Sequence, residues 1–301
     1  MTGFDLRAYL ADQRDAVERA LLRASGEFAD VLPDDQAAAG RHGVVSGGKR
    51  LRPILCATAF QACGGEAEQA ALYDFAVAIE LSHAYSLIHD DLPSMDDADL
   101  RRGAPTTHRV FGVEAATRAG VALIPLAARR ARVAGEALGL DQVTRVECAR
   151  LLGHASGASG MVGGQGLDLL GEGGALESTQ LTELHRHKTG ALLAASLEIG
   201  AVAACASPAV RAALRRYGQH VGLAFQIADD VLDATATAEE LGKRPSDAEL
   251  DKSTYVSLHG LEGARALARA EADRAVAALG EAGLDAPALV GLADFIVTRR
   301  R

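Results

Sequence analysis

Two clusters of aspartate carry the chemistry this sequence could do. The segment LAFQIADDVLDA sets Asp229, Asp230 and Asp233 in a run that is otherwise apolar apart from Gln226. Helix residues three and four apart share a face, so Asp229 and Asp233 align with Gln226 beside them. A charge run ordinarily forms a solvated stripe. The apolar neighbours argue against that here, because clustered carboxylates withdrawn from water are costly unless cations compensate. The second cluster, HAYSLIHDDLPSMDDADLRRG, ends an apolar helical pattern in Asp90, Asp91, Asp96, Asp97 and Asp99, followed at once by Arg101 and Arg102. Asp90 and Asp96 are too far apart for one helical turn and Pro93 opposes a continuous helix, so the intervening residues are expected to loop out and let the two carboxylates converge.

Carboxylate oxygens without cysteine or paired histidine ligands suit a hard cation. Mg²⁺ takes one or two carboxylates while a substrate phosphate and water complete its octahedron. The expected ligand is therefore a metal diphosphate, and the metal explains how an acidic site holds an anion, by reversing the local sign. Basic segments complete the set: GGKRLRP at 47–53, Arg101 with Arg102, HRHKTG at 185–190, and Lys243, Arg244 and Lys252. Arginine forks grip phosphate oxygens in pairs, lysine acts as a mobile point charge, and a glycine turn lets backbone donors approach. Each of these segments alone would pass for an ordinary surface helix or loop.

Helices must position these groups. The chain of 301 residues is 49% hydrophobic but only 4% aromatic, without tryptophan, and its apolar excess is alanine and leucine, both strong helix formers. Apolar residues recur at helical spacing, as at Leu72, Phe75, Ala76, Ile79, Ala84, Leu87 and Ile88, while strand-like alternation is scarce. The pattern predicts an all-α fold of roughly ten or more helices, with breaks at 32–35, 46–48, 63–65, 92–105, 171–174, 234–251 and 280–287, where Gly, Pro or Asp cluster. It resumes promptly after each break, which predicts one domain over residues 1–301.

A formal charge of −9 disfavours nucleic acid or an anionic membrane as a general partner. The four cysteines lack zinc-type pairing and sit among apolar residues, which fits a reducing cytoplasm. The first twenty residues have early acids and helical periodicity, unlike a signal peptide. Residues 191–210 are interrupted by Glu198 and rich in alanine, which predicts helix packing and no membrane span.

The ordered set GGKRLRP, HAYSLIHDDLPSMDDADLRRG, GMVGGQGLDL, HRHKTGAL, GLAFQIADDVLD, LGKRPSDAELDKSTY and LADFIVTRR resembles the trans-isoprenyl diphosphate synthases, or polyprenyl synthetases, over nearly the whole chain, and most closely their bacterial farnesyl diphosphate synthase branch. The resemblance implies a helical bundle around a central cavity, usually a homodimer, that joins isopentenyl diphosphate head to tail to an allylic diphosphate. By it, Asp90, Asp96 and Asp229 would bind a cluster of three Mg²⁺ ions, with Asp91, Asp230 and Asp233 supporting. Arg101, Lys188, Thr189, Gln226, Lys243 and Lys252 match the allylic diphosphate site, where Thr189 and Gln226 would also stabilise the allylic cation. Lys49, Arg52, His83 and Arg102 match the isopentenyl diphosphate site; Gln165 and Asp168 match a pair facing the reacting carbons. No side chain in these motifs is a strong base, and in the family the released pyrophosphate takes the proton.

In that family the residues four and five positions before the first acid motif, here Ser86 and Tyr85, influence pocket depth, and the Tyr85 ring favours a farnesyl over a geranylgeranyl product. A terpene cyclase would need no isopentenyl site, and a non-catalytic modulating subunit would lose ligands from one acid motif. The chain departs from the family pattern at Arg118, Val121 and Pro125, in a helix that commonly lies near the dimer contact and pocket, and at Ala98.

Overall fold

The computed structural model describes residues 4–171, 174–235 and 253–299. The chain opens with α1 (Leu6–Gly26), whose first turn is closed by the Asp5 side chain accepting from the Ala8 amide at 3.0 Å. There follow α2 (Asp34–Val45), α3 (Leu51–Ala62) and α4 (Gln69–Asp90). A two-stranded hairpin, β1 (Leu100–Arg101) with β2 (Ala104–Pro105), leads to the short α5 (Thr107–Phe111), then to α6 (Val113–Ala137) and α7 (Gln142–Ser156). Next come α8 (Met161–Gly171), α9 (Ser178–His185), a π-helical turn (Arg186–Gly190), α10 (Ala191–Ala203) and α11 (Pro208–Thr235). The chain closes with α12 (Tyr255–Glu281) and α13 (Pro287–Thr298).

Helices that are apolar on every side must lie at the centre. The α10 helix is buried from Leu192 to Ala203, and its one charge, Glu198, is met by Arg215 at 3.5 Å and Arg211 at 3.7 Å. No helix among the described residues is long and apolar enough to cross a membrane. In α4 the predicted core positions Leu72, Phe75, Ala76, Ile79, Ala84 and Ile88 are all buried; Leu87 is the exception, because it faces the central cavity. The α6 and α11 helices are amphipathic and wrap this centre, α6 against α4, and α11 against both α10 and α12.

The expected breaks fall between helices, except that 234–251 lies almost wholly outside the described residues. The hairpin inside 92–105 is an addition, since two-residue strands carry no readable period. Pro125 does not interrupt α6, which runs on through it. Arg118, Val121 and Pro125 all lie on the exposed side of α6, Arg118 in an ion pair with Glu114, so the departures from the family pattern do not line the cavity.

Candidate active site

A cavity of about 1000 Å³ opens between α3, α4, α8, the π-helical turn and α11. Asp90 reaches it because α4 ends there: the Asp91 amide bonds back to Leu87 O at 3.2 Å, and the Asp96 amide folds onto Asp90 O at 2.9 Å. The looped 90–96 interval is thus present, with Asp90 lining the cavity and Asp96 exposed beside it. Burial pushes the Asp90 carboxyl up to about 6; the charges of Asp96 and Asp91 add to this against the pull of Lys188 and Arg101. Asp91 is turned inward, 3% exposed, and holds Arg101 through Nη2 at 2.6 Å and Nε at 2.8 Å.

Across the cavity, α11 presents Gln226 and, a turn later, Asp229. Asp229 is ion-paired with Arg299, just past the end of α13, and that guanidinium lies 4.4 Å from the Phe225 ring centroid. Lys49 approaches the same ring at 5.7 Å. Asp230 is buried and accepts from the Tyr255 amide at 2.7 Å, fixing the start of α12, while Asp233 is half-buried a turn beyond Asp229.

The π-helical turn sets the remaining groups. Lys188 Nζ meets Asp168 Oδ2 at 2.5 Å, and Thr189 Oγ1 donates to Gln226 Oε1 at 3.0 Å. The α8 helix lies so close that a methyl at Gly164 would collide with the Lys188 amide nitrogen, so glycine is what lets α8 bring Gln165 and Asp168 to this wall.

Cations gather on the α3 side. Gly47, Gly48 and Arg50 all take positive φ, and this turn throws Arg50 inward, where it is 3% exposed. Its guanidinium binds Glu18 at 2.8 Å, Glu80 at 3.0 Å and Val44 O at 2.9 Å. Lys49 and Arg52 are left to face the cavity with His83 and Arg102. Burial and nearby Arg102 bring the Arg52 guanidinium down to about 10, although Glu80 opposes this. Burial, then the Arg52 and Arg102 charges, hold the His83 imidazole well below its ordinary value, so it is neutral here. Arg52 Nε and His83 Nδ1 are both buried without a hydrogen-bond partner.

Thus Asp90, Asp229, Lys49, Arg52, His83, Arg101, Arg102, Tyr85, Ser86, Gln165, Lys188, Thr189 and Gln226 share one cavity, with Asp168 behind Lys188. Lys243 and Lys252 lie outside the described residues. Sequence reasoning passed over Arg299, Glu18 and Glu80. Glu80 had a signal, a lone acid in the apolar run of α4; Arg299 had none beyond its place in LADFIVTRR.

An all-helical shell around one cavity, with carboxylates on facing helices and cations beside them, is the isoprenoid synthase architecture. The polyprenyl synthetase family model matches residues 36–282. Among curated proteins, the chain is 44% identical over 267 residues to the farnesyl diphosphate synthase of Escherichia coli K12, covering 87% of this chain and 88% of that one. It is 39% identical over 305 residues to geranylgeranyl pyrophosphate synthase 12 of Arabidopsis thaliana, covering 99% and 82%. Among solved structures, it matches an apo FPP/GFPP synthase from Zymomonas mobilis with a TM-score of 0.82 at 36% identity, covering 96% of this chain and 99% of that one. The chain belongs to the polyprenyl synthetase family and is a prenyltransferase.

Proposed function

We propose that this protein condenses isopentenyl diphosphate with dimethylallyl or geranyl diphosphate and releases farnesyl diphosphate and pyrophosphate. The observation that carries this reading is the cavity between the opposed carboxylates, with the Tyr85 ring in its wall. Tyr85 is 6% exposed, and its hydroxyl donates to Ser156 O at 2.6 Å, which fixes the ring across the cavity wall.

Mg²⁺ is the expected cofactor, and the donors fit it. They are carboxylate oxygens, and Asp90 is a half-buried carboxyl whose burial, with the charges of Asp96 and Asp91, is offset only in part by Lys188 and Arg101. Among the described residues no three of His, Cys, Asp and Glu converge closely enough to hold a metal alone, so each ion would take one or two carboxylates and complete its shell from the diphosphate. Asp90, Asp96 and Asp229 would be the direct ligands, with Asp91, Asp230 and Asp233 behind them. When bound, the ions would neutralise the leaving diphosphate.

The remaining steps belong to the chain's own groups. Arg101 and Lys188 hold the allylic diphosphate, with Lys243 and Lys252 assigned to the same end. Thr189 and Gln226 direct their oxygens toward the allylic cation, and Gln165 and Asp168 flank the reacting carbons. Lys49, Arg52, Arg102 and neutral His83 hold isopentenyl diphosphate so that its double bond meets that cation. The gathering of Lys49, Arg52 and Arg102 on one side of the cavity favours this over a cyclase, which has no second diphosphate to place.

The whole chain acts as one synthase domain. The protein works as a homodimer through the exposed face of α6, where Val113, Val121 and Ile124 are 48%, 55% and 46% exposed. All four cysteines are unpaired, which suits the cytoplasm. Incubation with Mg²⁺, isopentenyl diphosphate and each allylic primer in turn tests the reading: a fifteen-carbon product supports it, a twenty-carbon product sinks the farnesyl assignment, and absence of turnover by folded protein sinks the reaction.

A further inference from the structure

His89 has no part in the chemistry above, yet it lines the cavity one helical turn along α4 from Tyr85. Its ring meets the Tyr85 ring edge-on, with centroids 6.1 Å apart and planes at 72°. On its other side, Nε2 lies 3.1 Å from Thr117 O, a carbonyl inside α6. A carbonyl only accepts, so Nε2 carries the proton and donates. Helix carbonyls are normally screened by side chains. The imidazole reaches this one because Gly120 leaves the α6 surface bare: a methyl there would collide with His89 Nε2 and Cδ2. Gly120 is itself buried within α6 and its backbone is helical, so the opening it makes is one of space and not of backbone freedom.

We propose that His89, seated in the Gly120 notch by Thr117 O, is a second specificity-determining residue for product length, the side wall to Tyr85's floor. Hydrocarbon that grows from a diphosphate held near Asp90 passes His89 before it reaches Tyr85, since the three residues succeed one another along α4. The imidazole's distance from α6 therefore sets the width available just above the floor. Two changes to the one contact act in opposite directions. His89→Ala empties the notch and admits a longer chain. Gly120→Ala fills the notch and drives the ring off Thr117 O toward the cavity, its open side. The ring tip can move without disturbing either backbone, and alanine suits a helix interior better than glycine, so this variant folds. The proposal rests on the reading of the cavity as the hydrocarbon pocket and of Tyr85 as its floor.

The test compares wild type, His89→Ala, Gly120→Ala and the double variant by two readouts. One is the ratio of ten-, fifteen- and twenty-carbon products. The other, which needs no turnover, is the ratio of dissociation constants for geranylgeranyl and farnesyl diphosphate. His89→Ala should shift both toward the longer chain by roughly tenfold, the scale on which pocket space of a methylene or two discriminates. Gly120→Ala should shift both toward the shorter, and the double variant should follow His89→Ala, because the added methyl then has no ring to push. Unchanged ratios, shifts of the same sign in both single variants, or a double variant that follows Gly120→Ala would overturn the proposal. A wild type that makes a twenty-carbon product instead overturns the reading of Tyr85 as a farnesyl floor, while the opposite shifts of the two variants still decide the role of His89.

Discussion

Arg50 and Arg52, two positions apart, do opposite work. Both line the cavity, but Arg50 is consumed by Glu18, Glu80 and Val44 O, whereas Arg52 Nε has no hydrogen-bond partner. Residue type and spacing in GGKRLRP do not tell the two apart, since both are cations in a glycine turn; the family resemblance singles out Arg52, and the structure adds the positive φ at Arg50 and its partners on α1 and α4. Glu80 is 3% exposed, so Arg50→Ala leaves a buried carboxylate without its main partner. The expected loss is about 3–5 kcal/mol, read by urea unfolding, with Glu80→Gln in the Arg50→Ala background restoring part of it. Another buried acid with basic partners is Glu271. Burial opposes its ionisation, but the His220 contact at 2.6 Å and Arg274 outweigh burial and hold its carboxyl below the usual 4.5. A depressed native value means stability that is present above about pH 4.5 and lost as pH falls through the native value. Glu271→Gln should therefore be less stable than wild type at pH 7, with the gap closing toward pH 3; a gap independent of pH would contradict this.

The helices and most of their ends were legible because a 3.6-residue apolar repeat is a direct image of which side is buried, as α4 shows at Leu72 through Ile88. The π-helical turn was not. HRHKTGAL continues the helical pattern without Gly or Pro inside it before Gly190, and the local widening is set by what packs there: Gly164 of α8 on one side and Gly222 of α11 against Gly190 on the other. The π-helical insertion carries both Lys188 and Thr189, in keeping with the tendency of such turns to mark functional sites. Gly164→Ala should displace this turn through the Lys188 backbone. Steady-state kinetics should show kcat lowered at least about tenfold, since small misplacement of positioned groups is expensive. KM for isopentenyl diphosphate should be nearly unchanged, since its proposed site stands on α3, α4 and the hairpin. Equal rises in KM with kcat intact would show that the turn binds but does not position.

At the scale of the molecule, an overall charge of −9 coexists with a cavity wall built of Lys49, Arg52, Arg101, Arg102 and Lys188, facing Asp90 and Asp229. Acids on two facing helices and cations beside them border one space, and such confinement focuses their fields on whatever enters. The acid motifs could be read from sequence because carboxylates in apolar runs demand a reason. That they stand on α4 and α11, on either side of a cavity, depends on how α10 packs against α3 and α11, which no local pattern states. Arg299 illustrates the rest: remote in sequence, it closes on Asp229 only because α13 packs against α11 and α12. In the proposed function Asp90 and Asp229 hold metal diphosphate opposite a second diphosphate at Arg52 and His83. A crystal structure with Mn²⁺, an unreactive allylic thiodiphosphate and isopentenyl diphosphate tests it most directly. Anomalous peaks bounded by Asp90, Asp96 and Asp229, with Arg299 displaced from Asp229 and a diphosphate on Arg52 and His83, are the predicted result; metal elsewhere, or an allylic diphosphate bound with Arg299 still on Asp229, would contradict it.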